Sequence, residues 1–313
     1  MSNQPQVEAE RAKFIGGSDI AAVVGLSPWK SPVALYDAKV GGREQAPANV
    51  TVKRRGHVWE RVVADMVVER FAEEGRVVKV LSTNERVQDE EIPYFAAEID
   101  MIIELDSVPT NVEIKTVHPF KAKEWGDELS DECPPHYAAQ ALWGLGITGR
   151  KTCIVAALIG ADELRIYPIE RDEPTIDWLR ARARDFWELN VLPRIPPAPQ
   201  SPEDLARLFP TSKETTIAGD EQIKLTVLRY LALSAEIDAR TAERDVLELE
   251  LKGFMREADS LTVPGNDKPV VTWKSRPWSH LDVDALKEAH PAVYREFLRK
   301  GSSRVFSVKS PKL

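Results

Sequence analysis

The sequence predicts a mixed α/β (α+β) fold, and three observations predict it. Short runs rich in β-branched residues, such as "RVVKVLST", "KTCIVAALIG" and "ELRIYPIE", alternate with segments whose apolar residues recur at helical spacing. A proline-rich run, "PRIPPAPQSP", marks a linker after them. Beyond it, Asp220 to Ala258 reads as one long charged helix. The 313 residues, 43% of them hydrophobic, suffice for a full core. They divide into a core over 1–198, a linker and helical arm over 199–264, and a small strand-helix-strand extension over 265–313.

In chain order, "IGGSDIAAVVGLSPWKSPVALYDAKVGG" carries the punctuation of two short helices. Ser18 or Asp19 caps the first and Gly25 closes it; Ser31 caps the second, Pro32 fills its first turn and Gly41 ends it. From Gly56 to Phe71, the apolar residues Val58, Val62, Val63, Met66, Val67 and Phe71 share one side of a core helix, with Glu60 near its start. A glutamate there complements the helix dipole. "RVVKVLST" and then two strands around a turn at Asp106 to Thr110 follow, with Pro93 ahead of them. Pro135 to Gly146 is helical in pattern, residues 151–160 and 163–170 read as strands, and a helix bearing Trp178, Phe186 and Trp187 leads to the linker.

In the long helix, Leu228, Leu231, Ala235, Ala242, Val246, Leu249 and Gly253 form a packing stripe that Asp238 interrupts, which suits an arm better than a free coiled coil. "KPVVTWK" and "SRVFSVK" around "HPAVYREFL" predict the terminal strand, helix and strand.

Composition excludes several function classes. Met1 to Lys13 lacks the apolar stretch of a signal peptide, and no apolar run approaches the roughly 18 residues of a membrane span, so the expectation is a cytoplasmic protein without a membrane partner. Two cysteines, Cys133 and Cys153, are too few for a disulfide framework or a zinc ribbon, so a metal would take oxygen ligands. The net charge of -8 argues against a nonspecific nucleic-acid coat, while leaving room for a local basic groove. Lys53-Arg54-Arg55 and Lys115-His118-Lys121-Lys123 are the local basic clusters, and solvated surface charge is the plainer account of either alone.

The chemistry concentrates in "AAEIDMIIELDSVPTNVEIKTV". Side chains alternate along a strand, so Glu113 and Lys115 share one face while Ile114 enters the core. Antiparallel pairing across the turn brings Asp100 toward Glu113. Two carboxylates so placed repel each other unless a cation joins them, and hard Mg²⁺ accepts carboxylate oxygens together with water and phosphate. That arrangement, with Lys115 beside the water, is suited to metal-assisted phosphodiester hydrolysis. Ordinary cross-strand charge pairing is the alternative for Glu113 and Lys115. Asp100, among Ile99, Met101, Ile102 and Ile103, weighs against it, because a carboxylate in so apolar a strand is costly without a partner.

The order of Glu60, Asp100, Glu113-Ile114-Lys115 and then Tyr137 with Gln140 resembles the PD-(D/E)xK, or restriction-endonuclease-like, superfamily. More narrowly, "IGGSDIAAVVGLSPWKSP", "GHVWE" and "HYAAQALWGLGITG" are similar to the YqaJ-type viral recombinase family, to which phage lambda exonuclease is related. The resemblance runs from about Arg11 to Ile154 and more weakly through "VTWK" and the terminal segment. It departs from the family at Ile99 and Met101, where proline and glycine often flank the aspartate.

The resemblance implies a restriction-endonuclease-like core, a central mixed sheet flanked by helices, with a helical and strand-containing C-terminal extension. It implies that Asp100, Glu113 and the Ile114 carbonyl ligate Mg²⁺, with Mn²⁺ a candidate substitute, and that Lys115 positions the water. Glu60 would serve a second metal, and Gln140 and Tyr137 would orient the site or the scissile strand. Arg11 falls where lambda-type enzymes engage a 5′ phosphate, with Ser18 at the matching spacing.

The implied activity is a 5′-to-3′ exonuclease on linear duplex DNA that leaves 3′ overhangs for recombination, in a bacterial or phage-infected cell. Duplex ends, a single-strand annealing protein and a homo-oligomeric ring are the implied partners. An endonuclease of the same fold and a non-catalytic DNA-binding or assembly module are the alternatives. No G-x-x-x-x-G-K-[ST] loop supports an ATP-driven enzyme.

Overall fold

The five predicted strands assemble into one mixed sheet in the computed structural model, which describes residues 10–41, 50–299, 301 and 303–309, and of 50–55 and 57 the backbone alone. The Lys53-Arg54-Arg55 cluster therefore lies outside the described side chains. The strands are β1 (Val78–Gln88), β2 (Ala96–Leu105), β3 (Val108–Val117), β4 (Thr152–Ile159) and β5 (Glu163–Glu170), in that spatial order. Neighbours are antiparallel except β3 and β4. A parallel pair needs a crossover, and the helix Pro135–Thr148 lies within it.

The β2–β3 turn is tighter than the sequence suggests. It consists of Asp106 and Ser107, both at positive φ (52° and 66°), and β3 begins at Val108 rather than after Thr110. The Asp106 carboxylate accepts the Val77 N–H at 2.9 Å and pairs with Arg76 at 2.8 Å, which holds the turn against the start of β1. β1 extends to Gln88, well past "RVVKVLST", because its polar second half still pairs with β2 as an exposed sheet edge.

Helices cover both faces. They are α1 (Gly17–Val23), α2 (Pro32–Lys39), α3 (Val50–Glu73), α4 (Pro135–Thr148) and α5 (Glu173–Phe186). Val63, Val67 and Phe71 of α3 pack on Met101, Ile103, Val112 and Ile114. Val58 and Val62, expected on the same face, are 64% and 43% exposed. At 100° per residue they fall off the stripe that Val63, Val67 and Phe71 define. On the opposite face, Ala141 and Leu145 of α4 and Ile176 of α5 meet Val155, Ala157 and Tyr167. Gly149 ends α4 in the left-handed conformation (φ 68°), and its N–H returns to the Leu145 carbonyl.

α1 and α2 are tied by a buried ion pair that sequence reading missed. Lys39 Nζ lies 2.7 Å from the Asp19 carboxylate and also donates to the backbone carbonyls of Arg11 and Phe14. Asp19 in turn accepts the Gly16 N–H at 3.3 Å, at the third position of a helix capped by Gly16 rather than by Ser18 or Asp19 itself. Removing one partner of such a pair strands the other charge. Lys39→Met is therefore expected to destabilise the protein by about 3–5 kcal/mol, measured by chemical denaturation.

The chain divides into two units at Phe209 and Pro210, later than the expected boundary at 198. The reason is a short helix, α6 (Pro202–Leu208), which docks on the first unit: the Ser31 hydroxyl donates to the Asp204 carboxylate, which also accepts the Gln200 N–H at 2.9 Å. In the second unit, α7 (Glu221–Met255) is capped by Asp220, whose side chain accepts the Ile223 N–H. Its expected stripe is largely open, with Val246 65% and Leu249 73% exposed. β6 (Ser260–Val263) and β7 (Asn266–Thr272) form a hairpin, followed by α8 (Val283–Ala289) and α9 (Pro291–Phe297).

"SRVFSVK" is not a strand; its Phe306 meets Tyr230 edge-on, so a side-chain contact takes the place of a ladder. Among the described residues, no helix is long and apolar enough to cross a membrane.

Candidate active site

β2 and β3 pair from Leu105 opposite Val108 to Met101 opposite Val112, and one step further along that register stand Asp100 and Glu113. There the Asp100 carboxylate accepts the Ile114 N–H at 2.8 Å. A short carboxylate can replace a ladder carbonyl in this way, and it keeps Asp100 at β3 while Ile114 turns into the core under α3.

Glu113 faces the other side, is 2% exposed, and accepts hydrogen bonds from Gln140 Nε2 of α4 at 2.6 Å and from Lys115 Nζ at 3.0 Å. Lys115 Nζ also lies 3.8 Å from Asp100 and 5.5 Å from the centre of the Tyr137 ring. The strand order, the strand alternation and the first turns of α4 thus bring Asp100, Glu113, Lys115, Tyr137 and Gln140 together.

Electrostatics describe a site short of positive charge. Burial pushes the Glu113 carboxyl up to about 7; Lys115 opposes this, and the carboxylates of Asp100 and Glu60 add to it. Burial works against the Lys115 ammonium, but the charges of Glu113 and Asp100 outweigh it and hold the ammonium above its ordinary range. Glu60 of α3 is therefore near enough to act on Glu113, which shares the Lys115 ammonium with Asp100.

A divalent cation fits this donor set. Among the described residues no three His, Cys, Asp or Glu side chains form a metal-holding group. A cation would accordingly take Asp100 and Glu113 with backbone oxygen, such as the Ile114 carbonyl, and water.

The remaining predicted residues stand further out. Arg11 is ion-paired with Glu98, which also accepts from Arg86 at 3.0 Å; Glu98 lies two residues before Asp100 on β2. Ser18 is exposed in the first turn of α1. Sequence reading missed Gly17: a Cβ there would come within 3.1 Å of Gln140 Cγ, so a glycine lets α1 approach α4 beside the site. It also missed Trp29 and His136, whose rings meet edge-on at 4.8 Å beside Tyr137. The signal for His136 was its place next to Tyr137 in "HYAAQ".

Residues 8–151 match the YqaJ-like viral recombinase domain. The YqaJ-like region includes every predicted site residue from Arg11 to Gln140. Similarity also extends past it: the uncharacterized protein YqaJ of Bacillus subtilis (strain 168) is 27% identical over 311 residues, covering 96% of this chain and 92% of that protein.

Solved structures similar to this chain include an alkaline exonuclease from Laribacter hongkongensis (19% identical, TM-score 0.44, 59% of this chain and 91% of that one). The same exonuclease in complex with dAMP matches at 18% identity, TM-score 0.43 and the same coverage of 59% and 91%. A phage-related exonuclease from Haemophilus somnus 129PT is 14% identical, with a TM-score of 0.41, over 56% of this chain and 92% of that one.

Proposed function

We propose that the chain is a Mg²⁺-dependent exonuclease that degrades one strand of linear double-stranded DNA from its 5′ end and leaves 3′ overhangs. The observation that carries this reading is the convergence of Asp100 and Glu113 on the ammonium of Lys115, with Glu60 near enough to act on Glu113. A hard cation held by Asp100, Glu113 and the Ile114 carbonyl would neutralise charge that develops on the scissile phosphate. Lys115, kept charged by its neighbours, donates a hydrogen bond to the attacking water and fixes its direction. Gln140 holds the Glu113 carboxylate in place, and the Tyr137 ring faces the Lys115 ammonium.

Polarity rests on the family and on Arg11, whose guanidinium can exchange Glu98 for a terminal phosphate in a bidentate contact. Mn²⁺ as a substitute for Mg²⁺, a homo-oligomeric ring, a single-strand annealing partner and a second metal served by Glu60 belong to the same proposal.

The test uses a linear duplex labelled at the 5′ end of one strand and the 3′ end of the other, with Mg²⁺, with chelator, and with Asp100→Ala. Metal-dependent loss of the 5′ label alone, abolished in the variant, is the expected outcome. Nicking of covalently closed circles would instead make it an endonuclease, and DNA binding without loss of either label a binding module.

A further inference from the structure

Beside Tyr137 lies a cavity of about 620 Å³, walled by Trp29, Trp125, His136 and Tyr137 and edged by Lys121. Its size is that of a small-molecule site. The aromatic rings form a continuous series: Trp125 stacks on Tyr137 at 5.4 Å, His136 lies 4.1 Å from Tyr137, and Trp29 meets His136 edge-on. Trp29 is nonetheless 72% exposed, a large apolar face left to solvent.

Trp29 is also held in place. The Ser27 hydroxyl accepts the N–H groups of Trp29 and Lys30, at 3.3 and 3.2 Å, and Pro28 restricts the backbone between them. His136 Nε2 is buried and has no hydrogen-bond partner among the described residues, although such an atom is ordinarily satisfied. At the edge, the exposed Lys121 is ion-paired with Glu124, which also lines the groove, and Lys30, the neighbour of Trp29, lies 3.8 Å from Asp19. The far wall ends at Tyr137, on whose ring Lys115 sits, so the groove opens beside the carboxylate cluster.

We infer that this groove binds unpaired nucleobases of a DNA strand end, with Trp29 as the stacking platform and Lys121 exchanging Glu124 for a phosphate. Every base has a π-face, so stacking on an aromatic ring holds a strand without reading its sequence, and lysines follow the backbone. A strand held this way lies next to the residues proposed to cleave it. The inference rests on the proposed nuclease reading for its DNA substrate, but not on catalysis.

The test is accordingly one of binding, in chelator, with Asp100→Asn protein so that no cleavage intervenes. Tryptophan fluorescence is followed during titration with a short thymidine oligonucleotide, with thymidine monophosphate, and with an oligomer of the same length lacking bases. The oligonucleotide is expected to quench fluorescence, and Trp29→Ala to weaken its binding about tenfold while Trp29→Phe restores most of it. The base-free oligomer is expected to bind both proteins equally, and the monophosphate more weakly than the oligonucleotide.

Because Trp29 is exposed, the alanine variant should keep the melting profile of its parent. Unchanged oligonucleotide affinity in Trp29→Ala, or an equal loss with the base-free oligomer, would overturn the inference. So would preferential binding of the monophosphate, which would make the groove a product site. Failure of DNA cleavage in the labelled-duplex assay would leave this result standing and count only against the catalytic reading.

Discussion

Glu113→Gln is expected to abolish cleavage and at the same time to make the metal-free protein more stable above neutral pH. Glutamine keeps the shape and can still accept from Gln140 and Lys115, but it carries no charge into a site that already holds Asp100 and Glu60. The sign follows from linkage. The carboxyl is raised from its ordinary 4.5 to about 7 by burial and by its acidic neighbours, so the folded state binds the proton more tightly than the unfolded chain. Its contribution to stability is thus present in full below about pH 4.5 and is lost as pH rises through about 7.

At pH 5 the wild type and the variant should melt together. At pH 8.5 the variant should be more stable by on the order of 2–3 kcal/mol, or several degrees in Tm for a unit of this size. Mg²⁺ should raise the Tm of the wild type at pH 8.5 and leave that of the variant nearly unchanged. The measurement is a set of thermal melts at both pH values with and without the ion. A variant less stable than wild type at pH 8.5 would show that Glu113 is a structural carboxylate whose charge the fold needs.

Much of this site was legible because it lies on strands. A period of two assigns faces without ambiguity, so Glu113 and Lys115 share a side and Ile114 enters the core, as the sequence pattern requires. The tight Asp106-Ser107 turn fixes the register and therefore the approach of Asp100 to Glu113. What pattern reading did not reach depends on contacts between elements distant in sequence. Gly17 matters because a Cβ would crowd Gln140, and Asp204 because Ser31 reaches it. Neither condition leaves a periodic trace.

The α3 stripe shows the reverse error: valines at 58 and 62 look like core in composition, yet helical geometry turns them to solvent. The C-terminal strand failed for a related reason, since β-branched and aromatic residues predict a strand only where an edge is available to pair with.

Lys115→Met should carry the opposite signature in stability. Its ammonium is the cation within 4 Å of both Glu113 and Asp100, and methionine leaves those carboxylates with amide and backbone donors alone. Stranding a buried charge in this way costs about 3–5 kcal/mol, and the loss should be largest at pH 8. Toward pH 5, Glu113 takes up a proton and no longer needs the ammonium, so the deficit relative to wild type should shrink.

Cleavage should fall by about 10²–10⁴-fold even at temperatures where the variant is folded, because the water loses its positioning donor. Lys115→Arg should not restore it, since a planar guanidinium cannot occupy the place of a compact ammonium. The informative protein is the double variant, Glu113→Gln with Lys115→Met. If the two side chains act as one buried ion pair, their combined replacement removes both charges at once, and at pH 8 the double variant should be more stable than the sum of the two single-variant changes. Additive changes would place the ammonium's main partner elsewhere, with Asp100 as the next candidate at 3.8 Å.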